Sequence, residues 1–411
     1  MGSAHTAPGP WEAPAITSDG TTTLSGGTLK APAKIEDMGL DTTAGGELGN
    51  EPLADGLPDG GLGIFGLFSP SGMLMRPNGD KVKPQVSIED LDTGEVHKYD
   101  ASVYAGAADQ EDGSGSFGEF VLLPDSTLVW MARQQTQELA LDKYDVYSMK
   151  PGAKPVHIGS STPDVSGGLA LTAPGDGNYL TVVGDNAWWV EGDLIGQAPG
   201  AKQYSNIYTA PLDGSRSQHV AIDAARLVQA DTCADDPTLI YVEDATSSAG
   251  RIDLATLSAA KVDANGDLGS GAPLWSAWDS NISVDTADAC GEHFAVAYVD
   301  WSNGEDAETH PTGVLIGGPE GTVYYAMPDQ STGAGRVTVT SFGVFFFDWG
   351  GLTYGKQYFY SYATGDLYFI GNGASFGFTK VGDKCAAMAW VDPEDASVVM
   401  TNYRVRKVCA T

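Results

Sequence analysis

One pattern constrains this chain more than any other: a short apolar run that ends in an acidic residue returns along it at a period of roughly 40 to 60 residues. Leu239–Val242 is followed by Glu243 and Asp244, Val296–Val299 by Asp300, Val344–Phe347 by Asp348, and Met388–Val391 by Asp392. Three of these runs are introduced by Asp-x-Cys, at Asp231–Cys233, Asp288–Cys290 and Asp383–Cys385. Weaker copies at Leu180–Asp185, Leu128–Ala132 and Met73–Arg76 extend the series, so units end at 76, 132, 185, 243, 300, 348 and 392. Most units then carry a turn rich in Asp, Gly or Asn: Leu91–Glu95, Lys150–Gly152, Leu212–Gly214, Ala264–Asp267 and Ala363–Asp366. Each turn reads as the outer hairpin of a four-stranded unit. One small twisted sheet cannot bury both of its faces alone, so such units must pack side by side.

This organisation resembles that of β-propeller proteins in general. The resemblance covers about residues 61–411 and is architectural: the Gly-His and Trp-Asp pairing of WD repeats, the Asp box of sialidases and the double Gly of kelch repeats do not recur. It implies an all-β fold, a seven-bladed β-propeller of four-stranded antiparallel sheets, with six or eight blades as the alternative counts. Residues 1–60, rich in Gly, Pro, Thr and acidic residues, read as an extended N-terminal arm, and 61–411 as a single propeller domain. The last unit stops at Thr411 without room for its outermost strand, so a segment of the arm, about Thr21–Ile35, is expected to complete the ring.

Charge narrows the partners. With 54 Asp and Glu against 22 Lys and Arg, the net charge of -32 excludes a phosphate-binding surface as the main feature, and with it nucleic acid. A hydrophobic content of 42% is too high for a disordered acidic tail. No apolar run is long enough to span a bilayer, so no transmembrane segment is expected, and the chain reads as a monomer. Its start, Met1–His5, has neither a basic n-region nor an apolar h-region, which reads as an ectodomain from which an export signal or anchor has been removed. The four cysteines lack Cys-x-x-Cys spacing, and an even count in such a chain favours an oxidising, extracellular or cell-surface setting. The expected disulfides are Cys233–Cys290, bridging neighbouring units, and Cys385–Cys409, stapling the last hairpin.

Few residues offer chemistry. The six histidines, at 5, 97, 157, 219, 293 and 310, show no metal-ligand spacing, and His97, His157 and His219 fall just past outer hairpin turns, where a structural role is expected. Gly373–Gly377 matches the G-x-S-x-G pattern but joins two strands and has no later histidine, so it reads as a loop between units. Asp263, Asn265 and Asp267 begin like a calcium loop, but Leu274 stands where an EF-hand needs Glu; Ca2+ is the one cofactor the sequence suggests. The pair Asp300-Trp301 recurs as Asp348-Trp349, and the repeat places both pairs on one face. The expected function is therefore a non-enzymatic propeller that binds a protein or glycan through Asp300, Trp301, Asp348 and Trp349. The alternative is an extracellular carbohydrate-active enzyme with paired carboxylates in the central pocket.

Overall fold

The computed structural model describes residues 68–69, 71–75, 86–99, 115–134, 143–161, 179–195, 202–223, 225–243, 254–302, 310–327, 336–348, 355–373, 378–382, 384–390 and 404–411, with 23–25, 28–30, 38, 40–41 and 47–48 of the arm. Seven antiparallel sheets are formed. Blade 1 holds Phe68–Ser69, Gly72–Met75, Val86–Asp90 and Val96–Tyr99; blade 2 holds Gly115–Leu122, Leu128–Gln134, Lys143–Met149 and Val156–Ser160. Blade 3 comprises Leu180–Val183, Asn186–Ile195, Lys202–Pro211 and His219–Ile222, and blade 4 Ala225–Ala230, Thr238–Glu243, Thr256–Lys261 and Ala272–Ser276. Blade 5 comprises Ile282–Cys290, His293–Asp300, Thr312–Gly318 and Gly321–Ala326. Blade 6 comprises Thr338–Val339, Gly343–Asp348, Gly355–Ser361 and Asp366–Gly373; blade 7 contributes Phe378–Val381, Cys385–Trp390 and Arg404–Ala410.

The first strand of each blade packs against the first strand of the next all the way round, with Phe378–Val381 of blade 7 against Phe68–Ser69 of blade 1. At that junction Lys407 Nζ also donates to the Asp92 carbonyl at 2.9 Å. The fold is thus a closed seven-bladed propeller whose first strands surround the axis. Nothing among the described helical elements is long and apolar enough to cross a membrane.

The arm does more than close the ring, and it does so at a different place from the one the sequence suggests. Within the expected stretch, Thr23–Ser25 adds an antiparallel strand to the outer edge of blade 5, and Thr28–Lys30 a parallel strand to blade 6. Blade 7 is completed instead by Leu40–Asp41, with Glu47–Leu48 pairing the same strand Arg404–Ala410. Strands of two residues have no periodicity to read, which is why the longer Thr-rich stretch drew the assignment.

The core lies between blades. Consecutive Trp188 and Trp189 show why: strand alternation sends Trp188 into the apolar layer shared with blade 4 and Trp189 into the one shared with blade 2. Val344–Phe347 is apolar at every position for the same reason, with Val344 and Phe346 packing towards blade 5 and Phe345 and Phe347 towards blade 7. Close approach also fixes small residues: a Cβ at Gly159 would lie 2.5 Å from Cζ2 of Trp189. All five turn glycines picked from the sequence, Gly94, Gly152, Gly214, Gly266 and Gly365, have positive φ, which an L side chain adopts only with strain.

One hydrogen-bonded polar chain crosses a layer between blades. Trp189 Nε1 donates to Tyr144 Oη at 3.0 Å, and Tyr144 Oη donates to Glu191 Oε2 at 2.6 Å, tying blade 2 to blade 3. Burial and the neighbouring Glu191 carboxylate hold the Tyr144 hydroxyl well above its ordinary pKa. Tyr144→Phe removes both bonds without emptying space. It is expected to cost about 1–3 kcal/mol in urea unfolding; a loss below the measurement error would show that the chain contributes nothing.

Both disulfides form as expected. Cys233–Cys290 joins the first turn of blade 4 to the end of the first strand of blade 5, with a Cα separation of 5.0 Å. Cys385 and Cys409 are direct cross-strand partners in blade 7, at 4.0 Å.

Candidate functional site

The two ends of the propeller differ. On one face the connections are short turns such as 184–185, 291–292 and 319–320. From the opposite strand ends leave the links between blades and between second and third strands, whose lengths range from two residues, 223–224, to stretches such as 161–179 and 391–403. A rigid ring of strands that carries long connections at one end is the arrangement in which binding and catalytic groups are usually found at that end.

Three axial strands carry register irregularities. In blade 2 the pairing of Gly115–Leu122 with the second strand shifts register between Phe117 and Phe120, which places Gly118 and Glu119 opposite Met131 alone. In blade 4 the shift leaves Leu227 as the extra residue, and Leu227 adopts φ 60°. In blade 5 the extra residue is Asp285. Bulges re-aim side chains, and strained backbone persists only where the surroundings enforce it. Two bulges at comparable positions thus carry carboxylates, Glu119 and Asp285, both half-buried.

One buried ion pair spans three blades. Lys380 of blade 7 pairs with Asp288 of blade 5 at 2.7 Å, passing over blade 6, and both side chains are buried. Asp288 also accepts the Val339 N–H at 2.6 Å from blade 6 and the Ala289 N–H at 2.6 Å, while Lys380 donates to the Ala289 carbonyl at 2.7 Å. Burial pushes the Asp288 carboxyl above its ordinary pKa, against the opposing pull of Lys380 and the two N–H donors. Arg336, just before the first strand of blade 6, is 6% exposed, and its Nε has no hydrogen-bond partner among the described residues. Burial lowers its pKa, and the carboxylates of Glu119 and Asp288 act in the opposite sense. Glu119 belongs to blade 2 and Arg336 to blade 6, so their interaction reaches across the ring. Gln229, on the first strand of blade 4, is likewise buried, and its Oε1 has no partner among the described residues.

The residues expected to bind ligand are divided by the structure. Asp300 and Asp348 do end the second strands of neighbouring blades. Asp348, however, is 2% exposed. Trp349 lies outside the described residues. Asp300 is spent on its own turn, its Oδ1 accepting the Ser302 N–H at 2.9 Å. Trp301 is 40% exposed; its Nε1 donates to Ser283 Oγ at 2.8 Å and its ring lies against His310 at 4.1 Å between centroids. The indole is therefore held in place beside the axial strand that carries Asp285.

At the suggested calcium turn, Asp263 Oδ1 accepts the Asn265 and Asp267 N–H groups at 2.8 and 2.9 Å, which is turn capping. No group of three or more His, Cys, Asp or Glu able to hold a metal ion occurs among the described residues. His97, His157 and His219 lie on the outermost strands of blades 1, 2 and 3, with His157 Nε2 at 2.9 Å from Asp145 Oδ1. Residues 374–377 of the G-x-S-x-G match lie outside the described residues and link blade 6 to blade 7. Sequence reasoning missed Glu119, Asp285 and Arg336. For Glu119 the available signal was a lone charge within the strand Gly115–Leu122.

No protein-family model matches the chain, and no curated protein matches it either. Among solved structures it is similar to the GH93 α-L-arabinofuranosidase of Fusarium graminearum in complex with arabinobiose, at 11% identity and a TM-score of 0.40, over 73% of this chain and 94% of that one. It is also similar to a PL25 polysaccharide lyase, an ulvan lyase, at 8% identity and a TM-score of 0.42, over 88% and 93% of the two chains. A third is the Pyrococcus horikoshii acylaminoacyl peptidase, at 9% identity and a TM-score of 0.42, over 83% of this chain and 50% of the peptidase. At such identities the likeness concerns the fold. The expectation of a non-enzymatic binding propeller is corrected in favour of its alternative, an enzyme: of the residues on which it rested, Asp348 is buried and Asp300 caps its own turn.

Proposed function

We propose that the chain is an extracellular enzyme acting on carbohydrate, with its active site about the axis at the end bearing the long connections. The observation that carries this reading is the placing of two half-buried carboxylates, Glu119 and Asp285, by β-bulges on axial strands of different blades. Hydrolysis of a glycosidic bond requires such a pair: one carboxyl protonates the leaving oxygen, while the other attacks the anomeric carbon or activates water. The cationic Arg336 beside Glu119 favours a charged carboxylate there, which suits the nucleophile or base role, and Asp285 then takes the acid role. Trp301, held by Ser283 and by the His310 ring at a 46° tilt and 40% exposed, supplies an apolar platform of the kind sugar rings stack on. The two disulfides support an oxidising, extracellular setting.

The test is release of reducing ends from a panel of plant, algal and microbial polysaccharides. Glu119→Gln and Asp285→Asn should each lower turnover by about 10²–10⁴-fold while leaving the melting temperature near that of the parent. Full activity in both variants would remove these residues from the site, and an inert parent across the panel would remove the reading itself.

A further inference from the structure

Trp301 is more ordered than its exposure requires. Of the tryptophans described, Trp130, Trp188, Trp189 and Trp275 are fully buried and Trp278 is half-buried, whereas Trp301 is 40% exposed. An exposed side chain left to itself keeps its rotamer freedom. This one is fixed at three points. Its backbone N–H donates to the Asn281 carbonyl at 3.0 Å, its Nε1 donates to Ser283 Oγ at 2.8 Å, and its ring rests against His310 at 4.1 Å between centroids. An apolar surface held rigidly towards solvent is preorganised for a ligand, because little freedom is left to lose on binding.

Strand alternation fixes which way this surface lies. On the second strand of blade 5, Val296 and Tyr298 pack towards blade 4, and Ala295 and Ala297 towards blade 6. The bond to Asn281 continues the pairing past Asp300, so Trp301 falls on the blade 6 side. On the axial strand, Ile282 and Val284 face blade 4, which puts Ser283 and the bulged Asp285 on the blade 6 side as well. His310 precedes a third strand whose Val314 and Ile316 face blade 6, and its ring meets Trp301 there. Asp285 and Ser283, then Trp301, then His310 thus form a row on strands one, two and three, running outward from the axis along one side of blade 5. Ser283 and Asp285 are separated by roughly 7 Å of strand, and the second strand lies roughly 4.8 Å further out. A single sugar seated at Asp285 does not reach across that interval to cover the indole.

Resting on the carbohydrate-enzyme reading, we propose that Trp301 receives a further sugar of the same chain, so that the substrate is an oligosaccharide or polysaccharide laid from the axis outward over the junction of blades 5 and 6, not a single glycoside. Ser283 is the positioning residue: it holds the indole and touches no ligand. Because the indole N–H is already engaged by Ser283, the platform offers a sugar only its apolar face. It therefore selects for the length of the chain and for a flat C–H face, and is indifferent to charge. Binding of a neutral chain there should change little with ionic strength, since no charge pair is formed.

The experiment is titration of the full chain, followed by tryptophan fluorescence and calorimetry, with xylo-, arabino-, cello- and galacturono-oligosaccharides from dimer to hexamer. In the series that binds, affinity should rise at least about tenfold from dimer to tetramer, with a change in indole emission. Trp301→Ala should remove both the rise and the emission change. Trp301→Phe keeps a flat ring and should retain part of the rise. Ser283→Ala frees the indole and should weaken the rise while the melting temperature stays near the parent's, which provides the measurement if Trp301→Ala fails to fold. For a series that is cleaved, the Trp301→Ala loss should grow with chain length and fall mainly on KM. Affinity independent of length in the parent overturns the proposal, as does a length preference that survives in full in Trp301→Ala, or a parent that binds no member of any series. Cleavage without length dependence sinks this inference and spares the enzyme reading; Trp301-dependent binding of the longer chains without cleavage upholds the platform and sinks the enzyme reading.

Discussion

Removing residues 1–50 is expected to lower the melting temperature by about 10 °C or more, the largest effect of any single change considered for this fold. The arm touches three blades in succession. It lays strands on the outer edges of blades 5 and 6 and supplies the outermost strands of blade 7. Met38, 4% exposed, enters the apolar layer between blades 6 and 7 beside Phe378 and Val408. Losing a buried Met side chain alone costs about 2–5 kcal/mol. The cross-strand hydrogen bonds add about 1 kcal/mol each, against a typical total stability of about 5–15 kcal/mol. Differential scanning calorimetry of the truncated chain decides the matter, and an unchanged transition would mean that the arm merely rests on the ring.

The second large effect concerns Lys380. Lys380→Met leaves Asp288 fully buried beside blade 6 without its counter-charge, and should cost about 3–5 kcal/mol at neutral pH. The pH dependence has a definite sign. The Asp288 carboxyl is raised in the fold, so its contribution to stability is fully present below the unfolded value near 3.8 and is lost as pH rises through the higher folded value. Deleting Lys380 removes the largest opposing influence and moves that loss further up the pH scale. The variant should therefore regain stability relative to the parent as the pH falls from about 7 towards 5. Asp288→Asn in the same background removes the charge and keeps an oxygen acceptor for one of the two N–H groups, from Val339 or Ala289, so the double variant should be more stable than Lys380→Met alone. A deficit that is constant across this pH range would show that packing, not charge, is what Lys380 contributes.

Architecture was legible in the sequence because propeller blades are built by repetition. The acidic strand ends at 243, 300 and 348 mark second strands, and the Gly-bearing turns mark the outer hairpins of five blades. Blade 3 shows how the reading slips. There the apolar run Leu180–Val183 is the first strand, and the second, Asn186–Ile195, follows after the two residues Gly184 and Asp185. A tight turn made of Gly and Asp imitated a strand-ending Asp, so the unit was placed one strand early. The candidate site was far less legible. Glu119, Asp285 and Arg336 lie on three different blades, and no spacing along the chain encodes their meeting at the axis. The bulges at Glu119 and Asp285 are visible only as an offset between paired strands, a relation between two segments that neither segment states alone. Asp288 was visible within the Asp-x-Cys motif, but its neighbour in that series, Asp231, instead bonds the Cys233 and Gly291 N–H groups, so the motif itself did not specify a buried ion pair.

The arm also sets an order of events during synthesis. Blades 1 to 4 draw their described strands from contiguous sequence and can assemble as the chain emerges. Thr23–Ser25 has no edge to join until Gly321–Ala326 has been made, and Leu40 waits for Ala410. For most of translation, then, the N-terminal strands are tethered reactants without a partner, and the final closure must pull in a segment separated from its mate by nearly the whole ring, the kind of long-range pairing that makes folding slow. A chain halted after blade 4 would be an open arc with a free N-terminal tail and two unmatched blade faces, the form most exposed to association with another nascent copy.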